Sequence, residues 1–295
     1  MKQLNKNWKG IGLFLLPAGV LYSLFFIIPL GFVFYVSLQS WNGISAMEFI
    51  GLTNYRNLFQ NPTFILGIRN NFIWAMALAF IQVPLAALIA MILTRKPRGW
   101  RFLRTVYFLP NVISQVAIAM LWISIYNAEY GAINQFLTMI GLEDLTQNWL
   151  GQIETALPAV IIQQVLYIGY FMIILLAATM SIPESFYEAA QLDGANVFQQ
   201  DWYITLPMIK SIMVVCMTLA ISYGLRHFEA TFLMTNGGPA NSTMVMGLHL
   251  YRRTSSLDYG QANAVGTTLI LVGGTIIVVI RRLFSRRDKA ADAVQ

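Results

Sequence analysis

The chain has 295 residues, of which 57% are hydrophobic and only 11% charged, and its mean hydropathy is +0.60. A soluble domain carries about a quarter of its residues charged to wet its surface, and a disulfide-stapled secreted domain needs many cysteines. Cys216 is the single cysteine here, so both classes are excluded, and the formal net charge of +6 fits the orienting loops of a membrane protein better than nucleic-acid binding.

A helix that crosses a bilayer needs about 20 apolar residues. Windows free of ionisable side chains predict such helices at about 11–38, 71–94, 105–127, 156–181 and 260–282. The first follows a basic start but is longer than a signal-peptide core and lacks a small-residue cleavage site, so it is expected to stay attached. A sixth helix, at about 208–233, is irregular. Its uncharged stretch Ser211–Leu225 is too short to span, and the apolar Phe228, Phe232 and Leu233 predict that it continues past Arg226. Arg226 and Glu229 then form an i, i+3 pair on one helix. The expected fold class is an all-α membrane protein with six transmembrane helices in one domain, residues 1–295.

Lysine and arginine are retained on the cytoplasmic side of short loops. Lys2, Lys6 and Lys9 precede the first helix, Arg95, Lys96, Arg98, Arg101 and Arg104 lie between the second and third, and Arg281, Arg282, Arg286, Arg287 and Lys289 follow the last. The alternate loops hold Arg56, Arg69, Arg252 and Arg253. Both termini are therefore expected in the cytoplasm.

That orientation makes the loop at 182–207 cytoplasmic, yet it contains Glu184, Glu188, Asp193 and Asp201 with no lysine or arginine. Ser181 and Glu184 have capping-box spacing, Tyr187–Leu192 is built from good helix formers, Gly194 suits a left-handed turn, Asn196 can cap a second helix and Pro207 closes the segment. The reading is a helix, glycine turn and helix offering Phe186, Ala190, Trp202 and Ile204 inside a rim of carboxylates, as a docking element for a protein. The competing reading is an interfacial segment anchored by Trp202, although a helix on the cytoplasmic leaflet should be basic.

No catalytic residue, metal site or bound cofactor is expected: the histidines are His227 and His249, Cys216 has no thiol partner, and no phosphate-cradling loop occurs. Gly237, Gly238 and Pro239 read as a turn. A polar solute in transit needs hydrogen-bonding groups facing a cavity, and a sugar favours aromatic faces as well. Gln163, Tyr167 and Tyr170 share a face at i, i+4 and i+7, and Tyr223, Arg226 and His227 cluster at i, i+3 and i+4. The same side chains also serve as hydrogen bonds between membrane helices or as interfacial belts. Arg226 either pairs with Glu229 or faces the cavity, where it would admit an acidic sugar or a phosphorylated polyol. The outer loops Gln39–Arg69 and Asn127–Glu154 are long enough to meet a substrate-binding protein, and their Trp41, Tyr55 and Trp149 serve equally as packing anchors.

E-A-A-x-x-D-G-A at Glu188–Ala195, followed by I-T-L-P at Ile204–Pro207, resembles the signature loop of permease subunits of bacterial ABC importers. The longer pattern from Ile182 is similar to the maltose/glycerol-phosphate-type carbohydrate group, as are G-L-T-N-Y-R-N-L-F at Gly51–Phe59, F-L-P at Phe108–Pro110, T-N-G-G-P at Thr235–Pro239 and D-Y-G-Q-A-N-A-V-G at Asp258–Gly266. The resemblance implies a type I importer permease fold in the bacterial inner membrane and transport of a sugar, oligosaccharide or related polyol. It implies as partners a second homologous permease subunit, two cytoplasmic ATPase subunits that carry ATP and Mg, an extracytoplasmic substrate-binding protein and membrane lipid, with no nucleic acid. It assigns ATPase coupling to Tyr187, Glu188, Ala189, Ala190, Asp193, Gly194, Ala195, Leu206 and Pro207. Its sugar pocket maps onto Asn111, Tyr167, Tyr170, Tyr223, Gly224 and His227, of which Tyr170 alone repeats the side chain of the maltose system. The alternative function is an ion-coupled carrier or channel. That class needs a titrating group at the midplane, and only Arg226 and Glu229 come close.

Overall fold

The computed structural model describes residues 8–292, with the side chains of residue 9 and of residues 280–292 left aside. Lys2 and Lys6 lie outside the described residues, as do the side chains of Lys9 and of the basic cluster from Arg281 to Lys289. Five helices are long and apolar enough to cross a membrane: Gly10–Val36, Pro62–Thr94, Ile153–Met180, Val197–Arg226 and Tyr259–Val279. The pair Trp100–Asn111 and Gln115–Ile125, bent by 101°, makes a sixth if counted as one broken span.

The chain divides into two compact units. The first comprises Met1–Asn61 and His249–Ile270. Its long helix Gly10–Val36 leaves nearly all of its side chains uncovered, Phe14 at 85% for example, which suits a rod surrounded by hydrocarbon. Beyond it, the two-residue strands Gln39–Ser40 and Glu48–Phe49 pair antiparallel, and helix Thr53–Gln60 follows. Asn54 ties these pieces together, donating from Nδ2 to the carbonyls of Ser37 (2.9 Å) and Gln39 (2.8 Å). Gly260 begins the last span against this knot, because a Cβ there would strike the Gln39 carbonyl. The helix holding the last span runs on to Asp292.

The second unit comprises Pro62–Leu248 and Leu271–Gln295 and holds most of the core. Small residues on Pro62–Thr94, among them Ala79, Ala86 and Ala90, sit fully buried beside Leu175 and Met172 of Ile153–Met180 and Cys216 and Ala220 of Val197–Arg226. Without a hydrophobic drive between helices in lipid, such small side chains gain stability by letting backbones approach closely.

Three helices widen into single π-turns, at Ser23–Ile27, Leu78–Gln82 and Asp201–Thr205. Each ends two residues before a proline, Pro29, Pro84 and Pro207. A proline inside a helix lacks the N–H for the preceding turn and its ring presses on that turn's carbonyl, and an i→i+5 turn gives the ring room. Pro207 therefore lies within a continuous helix and does not close the loop: the second loop helix, Val197–Gln200, runs straight into the membrane as part of Val197–Arg226.

The structure departs from sequence expectation at four further places. The second span begins at Pro62, so Arg69 lies inside the helix. The third span breaks at residues 112–114, after Pro110, and restarts where Ser114 Oγ accepts from the Ala117 N–H. The fourth span also breaks, between helices Ile153–Val165 and Gly169–Met180. The fifth ends at Arg226: His227 is extended, at φ −62 and ψ 134, and a separate helix, Glu229–Thr235, follows.

Candidate functional site

The breaks in the spans are held open by buried amides. Gln82, in the π-turn of the second span, donates from Nε2 to the carbonyls of Gln164 (2.9 Å) and Tyr167 (3.0 Å), which flank the interruption of the fourth span. Asn71 does the same for the end of the fifth span. Its Nδ2 donates to the carbonyls of Gly224 (3.0 Å) and Leu225 (3.1 Å), and its Oδ1 accepts from the Met246 N–H at 2.7 Å.

These breaks shape a cleft of about 390 Å³ among the third, fourth and fifth spans. Asn111, Tyr167, Tyr170, Tyr223 and Arg226 line it, together with Gln82, Gln115 and Gln164. Tyr167 accepts from the indole N–H of Trp122 at 2.7 Å, and Gln115 Nε2 donates to Gln164 Oε1 at 3.4 Å, so the amides and phenols are held in place. Gly169 brings the wall of the cleft close, since a Cβ there would meet the Tyr107 carbonyl and Asn111.

Three expected path residues are absent from the lining. Gln163 is buried, its Oε1 without a partner, because the break at 166–168 ends the helical register that would carry it onto the face of Tyr167 and Tyr170. Gln164 takes its place. Gly224 is a packing contact: a Cβ would come within 2.7 Å of the Ala75 backbone. His227 is buried against Trp74, ring centroids 4.2 Å apart, while Tyr223 and Arg226 beside it reach the cleft. The expected pairing of Arg226 with Glu229 is also not formed, the ion pairs among the described residues being Arg95–Asp201 and Arg253–Asp258. Sequence reasoning missed Gln82, Gln115 and Gln164. Their one available signal was an amide within an otherwise apolar run.

The acidic loop forms the helix Ser185–Leu192, then Gly194 at φ +79, then a capping box in which Asn196 Oδ1 accepts from the Gln199 N–H and Gln199 Oε1 from that of Asn196. Ser181 does not cap forward: its hydroxyl donates back to the Ala178 carbonyl. Glu188, Ala189, Asp193, Gly194 and Pro207 are exposed, while Tyr187, Ala190, Ala195 and Leu206 are half-buried. Phe198 and Trp202, also exposed, stack with centroids 6.2 Å apart. A latch fixes this element to the end of the second span. Arg95 bridges to Asp201 at 2.7 Å and donates to the Val197 carbonyl at 3.3 Å, and the hydroxyls of Tyr187 and Thr205 meet at 2.9 Å. Beside the latch is a second hollow of about 290 Å³, lined in part by Thr94, Glu184 and Gln200.

Comparison with known proteins matches residues 82–289 to the family described as binding-protein-dependent transport system inner membrane component. The chain belongs to that family. This inner membrane component is 37% identical over 265 residues to the probable ABC transporter permease protein YurN of Bacillus subtilis, covering 88% of this chain and 90% of the relative. It is 31% identical over 283 residues to the trehalose/maltose transport system permease protein MalF of Thermococcus litoralis, covering 94% of each. Among solved structures it is similar to a chain of a bacterial ABC transporter that imports the acidic polysaccharide alginate, with a TM-score of 0.81 and 26% identity over 97% of this chain and 98% of the other. It is equally similar, at a TM-score of 0.81 and 26% identity, to a chain of a bacterial alginate ABC transporter in complex with alginate pentasaccharide-bound periplasmic protein. The inner membrane component is thus a multi-pass membrane protein with the fold of an ABC importer permease.

Proposed function

We propose that this permease moves a sugar, oligosaccharide or related polyol into the cell by alternating access, with the cleft between the third, fourth and fifth spans as its half of the solute path. The observation that carries the reading is the cleft itself, which pairs aromatic faces with fixed amides, the combination a sugar's C–H and O–H surfaces need. The relatives named for sugar uptake support it. Asn111, Tyr167, Tyr170, Tyr223 and Arg226 face the solute, whereas Gln163, Gly224 and His227 act from behind the wall.

Both termini lie in the cytoplasm in this reading, and the loop at 182–207 enters a cleft on a cytoplasmic ATPase. Glu188 meets a basic residue there, Ala189 and Ala190 allow close approach, and Asp193, Gly194 and Ala195 set the bend. Tyr187, Leu206 and Pro207 connect the bend to the fifth span. ATP and Mg are held by the ATPases, two of which act on this chain and a second permease chain, and an extracytoplasmic binding protein delivers the solute. The alginate transporter solved in complex with a periplasmic protein supports that last partner.

The experiment is uptake by the reconstituted complex in vesicles. Glu188→Lys is expected to leave the chain in the membrane and abolish ATP-driven uptake. Uptake by this chain without any ATPase would overturn the importer reading in favour of an ion-coupled carrier or channel.

A further inference from the structure

We infer that the cleft is built for an anionic solute, a sugar bearing a carboxylate or a phosphate, and that Arg226 is the side chain that selects for the charge. The inference rests on the importer reading and narrows its substrate. Arg226 is the one charged residue in the lining, the remaining polar groups being amides and phenols. No carboxylate shares the cleft wall with it.

A guanidinium on a membrane-spanning helix is costly unless it has a counter-charge or a use. The obvious counter-charge is Glu229, but the chain breaks at His227 and Phe228, so the two residues occupy different helices. Among the described residues Arg226 belongs to neither ion pair. The last carbonyls of the fifth span, those of Gly224 and Leu225, accept from Asn71 instead. Its Nε donates to the Ser222 carbonyl at 3.2 Å, an intrahelical tie that orients the guanidinium and leaves both terminal nitrogens for a ligand. A planar fork with two free N–H groups matches a carboxylate or phosphate bidentately. A neutral sugar would be served by the amides and tyrosines alone.

The test begins with the solute that the partner binding protein carries. Released from the co-purified binding protein, it is analysed by mass and anion-exchange behaviour, and a carboxylate or phosphate is expected. A neutral solute that the complex nevertheless imports with ATP would overturn the inference and leave the importer reading intact. The isotope-labelled solute then probes variants: Arg226→Gln should lower uptake roughly ten- to a hundredfold, with Arg226→Lys recovering part of the loss because it keeps the charge without the fork. Size-exclusion chromatography checks that both variants assemble. Equal uptake by assembled Arg226→Gln and the native complex would also overturn the inference.

Discussion

Replacing Asn71 with leucine removes a buried joint without touching the cleft. Asn71 is fully buried, and its amide makes three hydrogen bonds, to the carbonyls of Gly224 and Leu225 and from the N–H of Met246. Leucine has similar bulk but removes all three bonds, leaving the Gly224 carbonyl only the His227 N–H at 3.4 Å. A neutral hydrogen bond contributes about 1 kcal/mol net in soluble proteins and about 0.6 kcal/mol on average between membrane helices. Three of them give a loss of roughly 2–3 kcal/mol. At about 2–4 °C per kcal/mol for a chain of this size, the melting temperature of the detergent-solubilised complex should fall by roughly 4–12 °C. Asn71→Asp is the control: it keeps the acceptor for Met246 but turns a carboxylate toward two carbonyls, so it should be at least as damaging. Melting within a degree of the native complex for both variants would refute the assignment of Asn71 as the clamp on the fifth span.

Two further predictions concern other parts of the chain. Arg95→Asp should lower ATP-driven uptake by breaking the latch to Asp201, and the exchange Arg95→Asp with Asp201→Arg should restore part of it; because both side chains are about a quarter to a third exposed, the change in melting should be small. A double exchange no better than the single variant would show that the pair is incidental. In the first unit, burial first and then the charges of Arg253 and Arg252 hold the His249 pKa down to about 4, against an ordinary 6.5. Arg253 Nε donates to His249 Nε2 at 3.4 Å, a bond that needs the neutral ring. The unfolded chain therefore binds a proton that the folded one refuses as pH falls from about 6.5 to 4, and stability is lost across that window. Melting curves of the native protein should show this loss, and His249→Gln should flatten it.

What the sequence made legible were features that depend on neighbours along the chain. Charge-free windows marked the first four spans and the last, and the run from Tyr187 through Gly194 to Asn196 specified a helix, a left-handed turn and a capped restart from local chemistry alone. The widened turns two residues before Pro29, Pro84 and Pro207 were not anticipated, and Pro207 reads in the sequence as a stop. Illegible features were those decided through space. The fifth span ends at Arg226 with its carbonyls taken by Asn71, which stands 153 and 154 residues earlier in the chain than the two it serves. The fourth span breaks beside Gln82, 82 residues away, and that break exchanges Gln163 for Gln164 in the cleft. An i, i+4, i+7 argument assumes an unbroken helix, and here the interruption is what makes the site.

The widened turn at Leu78–Gln82 has a mechanical corollary. It stores one surplus residue inside an otherwise regular screw, and passing that surplus one step along would swivel the adjoining segment by about 100° while every other rung stayed closed. Gln82 sits on the joint, gripping the opposite rod at its weakest point. The two irregularities thus share a single amide, and neither backbone can change its register while both of that amide's hydrogen bonds persist.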